Sequence, residues 1–281
     1  MPEKTKVILA SDIHYNCGDF FGVDPDEIME RLCADLAAEY AKQPYSALLL
    51  LGDYSLDHWA WQTKGTYLTK GLSNAKLFAD KYLDRIAPKG VELRMIAGNH
   101  EQYGEALWHE LTGFNRRDHI VVGDILFILT DTFGGDLDPS EHSDGTYIGA
   151  NVADIKALME TYPDKRVIIC SHWFDITKES EEFCRLLREE ERILCLFCGH
   201  NHKSHIVNTG EENGNKPILC TGNYSYSGEP NNLRCMPGYR VLEWDGESLC
   251  SKYVVPSHTY KIGSVRFTTE YTEQDVLTIE L

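Results

Sequence analysis

With 281 residues, 42% of them hydrophobic and 25% charged, and with 10 Pro and 22 Gly, the chain has ordinary globular usage, which excludes disordered, collagen-like and coiled-coil classes. It carries 27 Lys+Arg against 44 Asp+Glu, a formal net charge of −17, and so acidic a surface repels a phosphate backbone, which makes nucleic acid an unfavoured partner. A small anionic substrate stays compatible if a local positive centre, such as a metal site, overrides the global field.

The N-terminal apolar stretch is only Val7 to Ala10 before Ser11 and Asp12, too short for the core of a signal peptide. No run reaches the roughly 18 apolar residues of a membrane span, so a cytoplasmic protein without a membrane partner is expected. Short apolar runs then alternate with longer amphipathic stretches, the pattern of strand-helix-strand units around a buried sheet. Strands are expected at Lys6 to Ala10, Ser46 to Leu51, Glu92 to Ala97, Ile120 to Thr130, Arg166 to Cys170 and Ile193 to Cys198, with a hairpin turn at Gly123-Asp124 inside the fourth. Asp24-Pro25-Asp26-Glu27 reads as the N-cap, first-turn proline and capping-box Glu of a helix that carries Ile28, Leu32, Leu36 and Tyr40. Further helices are expected near residues 71 to 86, 151 to 161 and 178 to 190. After residue 203 come short strand-like runs, Pro217 to Thr221, Tyr239 to Trp244, Leu249 to Val255 and Val276 to Leu281. No linker composition sets them apart, so residues 203 to 281 are expected to supply the second-sheet part of a single domain over residues 1 to 281.

Nine cysteines lie mostly inside apolar runs, which fits reduced core residues better than a disulfide framework. Cys195-Leu196-Phe197-Cys198 matches C-x-x-C, but a structural zinc site needs four ligands and no second pair accompanies it.

Polar residues recur just after the apolar runs, where an open α/β sheet places its ligand-binding groups. They are Asp12-Ile13-His14, Gly52-Asp53, Gly98-Asn99-His100-Glu101, Ser171-His172 and Gly199-His200-Asn201-His202. A lone D-x-H carries no weight, whereas G-H-x-H arises by chance only about 0.03 times in a chain of this composition. The stronger signal is the ordered set. Two Asp carboxylates, an Asn carbonyl and four His nitrogens form an O/N donor set without sulfur, suited to Mn, Fe, Zn, Co or Ni. Seven donors are too many for one catalytic ion with an open position, and two ions sharing one carboxylate account for all of them.

This set, Asp12-x-His14, Gly52-Asp53, Gly98-Asn99-His100-Glu101, His172 and Gly199-His200-x-His202, resembles the calcineurin-like metallophosphoesterase superfamily. The resemblance implies an α/β fold, a four-layer α/β/β/α sandwich of two mixed sheets, and a centre of two divalent or trivalent metal ions at the sheet edge. It implies that Asp12, His14 and His202 hold one ion, that Asn99, His172 and His200 hold the other, and that Asp53 bridges them. It further implies a metal-bridging hydroxide as nucleophile, His100 as the general acid for the leaving oxygen, and Glu101 as the residue orienting the His100 ring. Such a centre would leave about one net positive charge in the cleft of an acidic protein.

The sequence departs from relatives at two points. Asp53 is followed by Tyr54-Ser55, where protein Ser/Thr phosphatases have Arg-Gly, and His172 is followed by Trp173, where many relatives have a nearby Pro. The expected activity is hydrolysis of a small phosphoester, with a lean to a phosphodiester; a phosphomonoester is the alternative, and a nuclease or a non-catalytic scaffold is less favoured. A monoester dianion would want a cation beyond the metals, for which Arg116, Arg117, Lys203 and Arg234 are candidates. The segments 57 to 62, with Trp59 and Trp61, 133 to 150 and 223 to 232 are candidate pocket walls.

Overall fold

The computed structural model describes residues 4–17, 24–57, 73–135, 145–225, 232–262 and 265–281. Apolar runs form a first parallel set of strands, β1 (Thr5–Ala10), β2 (Ala47–Leu51) and β3 (Glu92–Ile96). The Gly123-Asp124 turn makes the expected hairpin, β4 (Asp118–Val122) and β5 (Ile125–Leu129), and β6 (Arg166–Cys170) and β7 (Ile193–Cys198) continue parallel to β5 in a second sheet.

The chain after residue 203 divides between the two sheets, which corrects its assignment to the second one. β8 (Ser204–Asn208) and β9 (Pro217–Thr221) extend the second sheet. β10 (Tyr239–Trp244) returns to the first and pairs antiparallel with β1, followed by β11 (Ser248–Val255). A ribbon of β12 (Thr259–Ile262) and β13 (Val265–Thr268) precedes β14 (Thr272–Glu280), which closes the first sheet's edge against β11. The physical reason is the open side of β1: its backbone groups, buried in the core, need partners on the side away from β2, and the apolar β10 supplies them. The orders are β14-β11-β10-β1-β2-β3 and β4-β5-β6-β7-β9-β8.

Alternation along the strands sorts the layers. Val7, Leu9 and Leu49 of the first sheet meet Phe127, Ile168, Phe197 and Leu219 of the second in the central core. Ile8, Leu48 and Leu50 face outward, against α1 (Pro25–Lys42), α2 (Asn74–Ile86) and α3 (Glu105–Thr112). Leu126, Val167 and Leu196 face the other way, against α4 (Val152–Thr161) and α5 (Glu181–Glu189). The result is the expected helix-sheet-sheet-helix sandwich, whose fully buried strands require cover on both faces. The first helix opens as read from sequence, with the Asp24 carboxylate accepting from the N–H groups of Asp26 and Glu27 and Pro25 at its start; Glu27 itself pairs with Arg31.

One buried cation ties the layers together. Arg240 on β10 donates from Nε to the Cys220 carbonyl (2.8 Å), from Nη2 to Ser204 Oγ (3.1 Å) and from Nη1 to the Asp275 carbonyl (3.0 Å). Burial, opposed by Asp275, lowers its pKa to about 10. Among the described residues, no helix is long and apolar enough to cross a membrane.

Candidate metal centre

The carboxyl ends of β1, β2 and β3 in one sheet and of β6 and β7 in the other open onto the same edge. The strand ladders run on past the strand ends and fix the loops: Asp12 N donates to the Gly52 carbonyl (3.1 Å), His14 N to the Asp53 carbonyl (2.9 Å) and Gly199 N to the His172 carbonyl (2.8 Å). The chain then reverses sharply. Asp12, His14, Asp53, His200 and His202 all have positive φ, between 51° and 68°, a conformation rare outside glycine and typical of functional sites.

Two of the motif glycines are explained by close approach. A Cβ at Gly98 would fall on the Asp53 carboxylate and 2.5 Å from its backbone N, and one at Gly199 would lie 2.5 Å from both Asp12 Oδ2 and Ser11 Oγ. Only hydrogen fits there.

The seven donors converge in two groups. Asp12, His14, Asp53 and His202 offer ligand atoms that all lie within 4.8 Å of one another, and so do Asp53, His172 and His200. Asp53 belongs to both. In the first group His202 Nε2 is 3.3 Å and His14 Nε2 is 3.7 Å from Asp12 Oδ1, while the two His Nε2 atoms are 3.0 Å apart. In the second, Asn99 Oδ1 lies 2.9 Å from both His172 Nε2 and His200 Nδ1, and Asp53 Oδ2 lies 3.1 Å from His172 Nε2. All seven residues named from sequence are thus brought together, with His100 beside them, its Nε2 3.9 Å from Asp53 Oδ2.

The donor chemistry fits cations. His172 Nδ1 faces the Leu51 carbonyl at 2.7 Å and must donate to it, so the neutral ring presents a lone pair at Nε2 to the acceptor oxygens of Asn99 and Asp53. Acceptors facing acceptors in a buried pocket call for a positive charge between them. With protons alone to supply it, burial lowers the His172 pKa but the Asp53 charge and hydrogen bond outweigh that and raise it to about 10. His200 and His100 go the other way, burial holding each at about 4 against the pull of Asp53. Burial also works against ionisation of Asp53 and Asp12, yet the surrounding imidazoles hold both carboxyls well below the usual range.

Glu101 does something other than the expected orienting of His100. Its carboxylate accepts from Gly98 N (2.8 Å), Asp53 N (2.9 Å), Ser55 N (2.9 Å) and Ser55 Oγ (3.1 Å). Those bonds clamp the loop after β2 to the loop after β3. Burial and the Asp53 charge push its carboxyl up, and the N–H donors pull it back.

A cleft of about 440 Å³ opens over the cluster, lined by Asp53, Asn99, His100, His200 and His202 together with Phe133, Gly145, Tyr147, Trp173 and Lys178. The segment 133 to 150 therefore contributes a wall through its described ends, Phe133, Gly145 and Tyr147. Trp59 and Trp61 lie outside the described residues, while Asp57 caps α2 by accepting from Asn74 N (2.6 Å) and Ala75 N (2.9 Å). From the segment 223 to 232, Asn223 braces the His202 carbonyl (2.9 Å). The C-x-x-C cysteines point to different cores, Cys195 to the central one and Cys198 to the outer one, as expected for packing residues; Cys198 does contact Cys220, Sγ to Sγ 3.1 Å. Lys178 was missed from sequence, because only the path of the chain after β6 brings it to the cleft; Tyr147 enters with the segment 133 to 150, and Trp173 directly follows His172.

An α/β/β/α sandwich with an Asp/His/Asn cluster where both sheets' strand ends meet defines a metallophosphoesterase-type fold with a possible metal-binding group. A family model described as calcineurin-like phosphoesterase matches residues 5–204, and the chain belongs to that family. A search of curated proteins finds no significant match. Among solved structures, the chain is similar to a dimetal phosphatase from Danio rerio (12% identity, TM-score 0.63, covering 97% of this chain and 100% of that one). It is also similar to a purple acid phosphatase from yellow lupin seeds, Lupinus luteus (12% identity, TM-score 0.61, covering 100% of this chain and 54% of that one). At these identities the likeness is one of fold.

Proposed function

We propose that this chain is a hydrolase of small phosphoesters that works with two metal ions, with a phosphodiester as the favoured substrate. The observation that carries the reading is the double convergence on Asp53, which stands in both the Asp12/His14/His202 and the His172/His200 groups. Asp12, His14 and His202 would hold one ion, Asn99, His172 and His200 the other, and Asp53 would bridge. When bound, ions of the Mn, Fe, Zn, Co or Ni type would supply the positive charge that draws a phosphoester into the cleft and activates water.

The chain's own residues do the rest. The Leu51 carbonyl fixes the His172 ring, and the Glu101 clamp holds the turns carrying Asp53 and Asn99. His100, at the cleft wall, is the group proposed to give a proton to the leaving oxygen. Because burial outweighs the Asp53 charge and keeps its pKa at about 4, the ring is mainly neutral at pH 7 and, when protonated, is a stronger acid than an ordinary imidazolium. Tyr54 occupies the position of the protein-phosphatase Arg; it is buried and donates to the Ile96 carbonyl (2.8 Å), which supports a small substrate rather than a phosphoprotein. The proposal includes a single domain and a cytoplasmic setting.

The test is Mn²⁺-supported hydrolysis of bis-p-nitrophenyl phosphate and of p-nitrophenyl phosphate, with chelator-treated protein as control. Metal-dependent turnover with a preference for the diester supports the reading. Preference for the monoester moves the substrate class to phosphomonoesters, and inactivity on both with metal bound overturns hydrolysis.

A further inference from the structure

The three arginines weighed from sequence for a role beyond the metals are engaged elsewhere. Arg116 is buried, its Nε on Asp131 (2.7 Å) and its Nη1 on the Glu101 and Tyr103 carbonyls (2.6 and 2.7 Å). Arg117 pairs with Asp154, and Arg234 with Asp275. Among the described residues lining the cleft, the cation is Lys178.

Lys178 is set in place by a chain of contacts that starts at the metal cluster. The Trp173 ring lies 4.6 Å from the His200 ring, centroid to centroid, and is backed by Phe133 and Tyr147. Lys178 Nζ stands 5.1 Å from the centre of the same Trp173 ring. Its backbone is stapled: Lys178 N and Glu179 N donate to the Asp175 carbonyl (2.9 and 3.1 Å), Asp175 N donates to Tyr147 Oη (3.1 Å), and Tyr147 in turn donates to Glu179. Lys178 Nζ also pairs with Asp175 (3.0 Å), but its side chain is 58% exposed, and an ion pair that open is worth little and readily exchanged for another anion.

Depth separates the lysine from the reacting centre. Asp53 lies at the floor with its side chain 2% exposed, whereas Lys178 stands at the rim. We infer that Lys178 reads a second anionic group of the substrate, so that the natural substrate is a phosphoester carrying a further phosphate or carboxylate beyond the one hydrolysed. This inference rests on the phosphoesterase reading of the site.

The experiment compares adenosine 5′-monophosphate with adenosine 3′,5′-bisphosphate, which differ by one phosphate, as ligands of the Mn²⁺-loaded protein by calorimetry and as competitors of bis-p-nitrophenyl phosphate hydrolysis. The expected result is a preference of about tenfold for the bisphosphate, the value of one charge-assisted contact. That preference disappears in Lys178→Ala, reverses in Lys178→Glu and returns in Lys178→Arg, a pattern a merely structural lysine would not give. Equal binding of the two nucleotides by the wild type, or a preference that survives Lys178→Ala, overturns the inference while hydrolysis of the nitrophenyl ester keeps the parent reading intact. Absence of both binding and hydrolysis in the metal-loaded protein overturns the parent reading itself.

Discussion

Asp53→Asn is the substitution that bears most directly on the site, because it removes one charge from a group common to both ligand clusters while keeping the side chain's shape. The Asp53 Oδ2 atom is 3.1 Å from His172 Nε2, 3.8 Å from His14 Nε2 and 3.9 Å from His100 Nε2. A unit charge about 4 Å away is worth roughly 4 kcal/mol at an effective dielectric of about 20, so an ion in either cluster should lose on the order of a thousandfold in affinity. Metal content after gel filtration, followed by Mn²⁺ titration, measures this. A second readout needs no metal. In the metal-free wild type, burial opposes a charge on His172, yet Asp53 keeps the ring protonated up to a pKa of about 10, so ions must displace that proton when they bind at neutral pH. In the Asp53→Asn variant the main opposing charge is gone, burial prevails, and the His172 titration followed by NMR should fall back toward or below its ordinary 6.5. A variant that retained wild-type metal content and turnover, with His172 still titrating near 10, would refute the reasoning.

His100→Ala should keep both metals and lose most activity toward esters with poor leaving groups, with a smaller loss on nitrophenyl esters; metal analysis showing depletion would instead make His100 a ligand. Gly98→Ala places a methyl group 2.5 Å from Asp53 N and on its carboxylate, so a loss of about 1–3 kcal/mol together with lower metal content is expected, and a wild-type Tm with full metal would disprove the close-approach argument. Burial works against a charge on Glu39, but its bonds to Lys6 and Lys42 outweigh that and hold it below its ordinary 4.5. Its folded pKa is the depressed one, so its stabilisation is present above about 4.5 and lost as pH falls through the folded value. Glu39→Gln should therefore cost about 3 kcal/mol at pH 7, where it leaves Lys6 buried without its carboxylate. The difference in Tm from wild type should shrink on acidification, and a gap constant from pH 7 to 3 would contradict the assignment.

What was legible in the sequence had local causes. Short apolar-rich runs such as Arg166–Cys170 and Ile193–Cys198 have the bounds expected of them, and each was followed at once by the polar residues that reach the shared edge. What was missed depends on partners distant in the chain or on weak local signals. The helix Glu105–Thr112 opens on Gly104 with no side-chain cap, so nothing announces it. The edge strand Ser204–Asn208 exposes its last two residues and lacks a clean apolar alternation. The return of Tyr239–Trp244 to pair with Thr5–Ala10 rests on a contact across more than two hundred residues. The resemblance to the family made Glu101 a partner for His100; the turn at Gly98 brings its carboxylate back toward Asp53 N and Ser55 instead.

The sharp reversal of the chain at these loops explains why the site is expensive to build and why the fold tolerates it. Five of the seven donors sit at positive φ, each at a cost of about 1–3 kcal/mol, and two buried carboxylates are packed against the buried rings of His14 and His172 and the half-buried rings of His200 and His202. Neither feature stabilises the chain alone. The opposing forces are the continuous central core of both sheets, the inter-sheet hydrogen bonds of Arg240 and the Glu101 clamp, which together fix the loops in a geometry they would not adopt unaided. A rigid surround of this kind holds the acceptor atoms facing one another, and cation binding is the event that relieves their repulsion. Among the described residues the donors that positive ions require gather at this edge, and it is here that the net charge of −17 and the anionic substrate proposed above are reconciled.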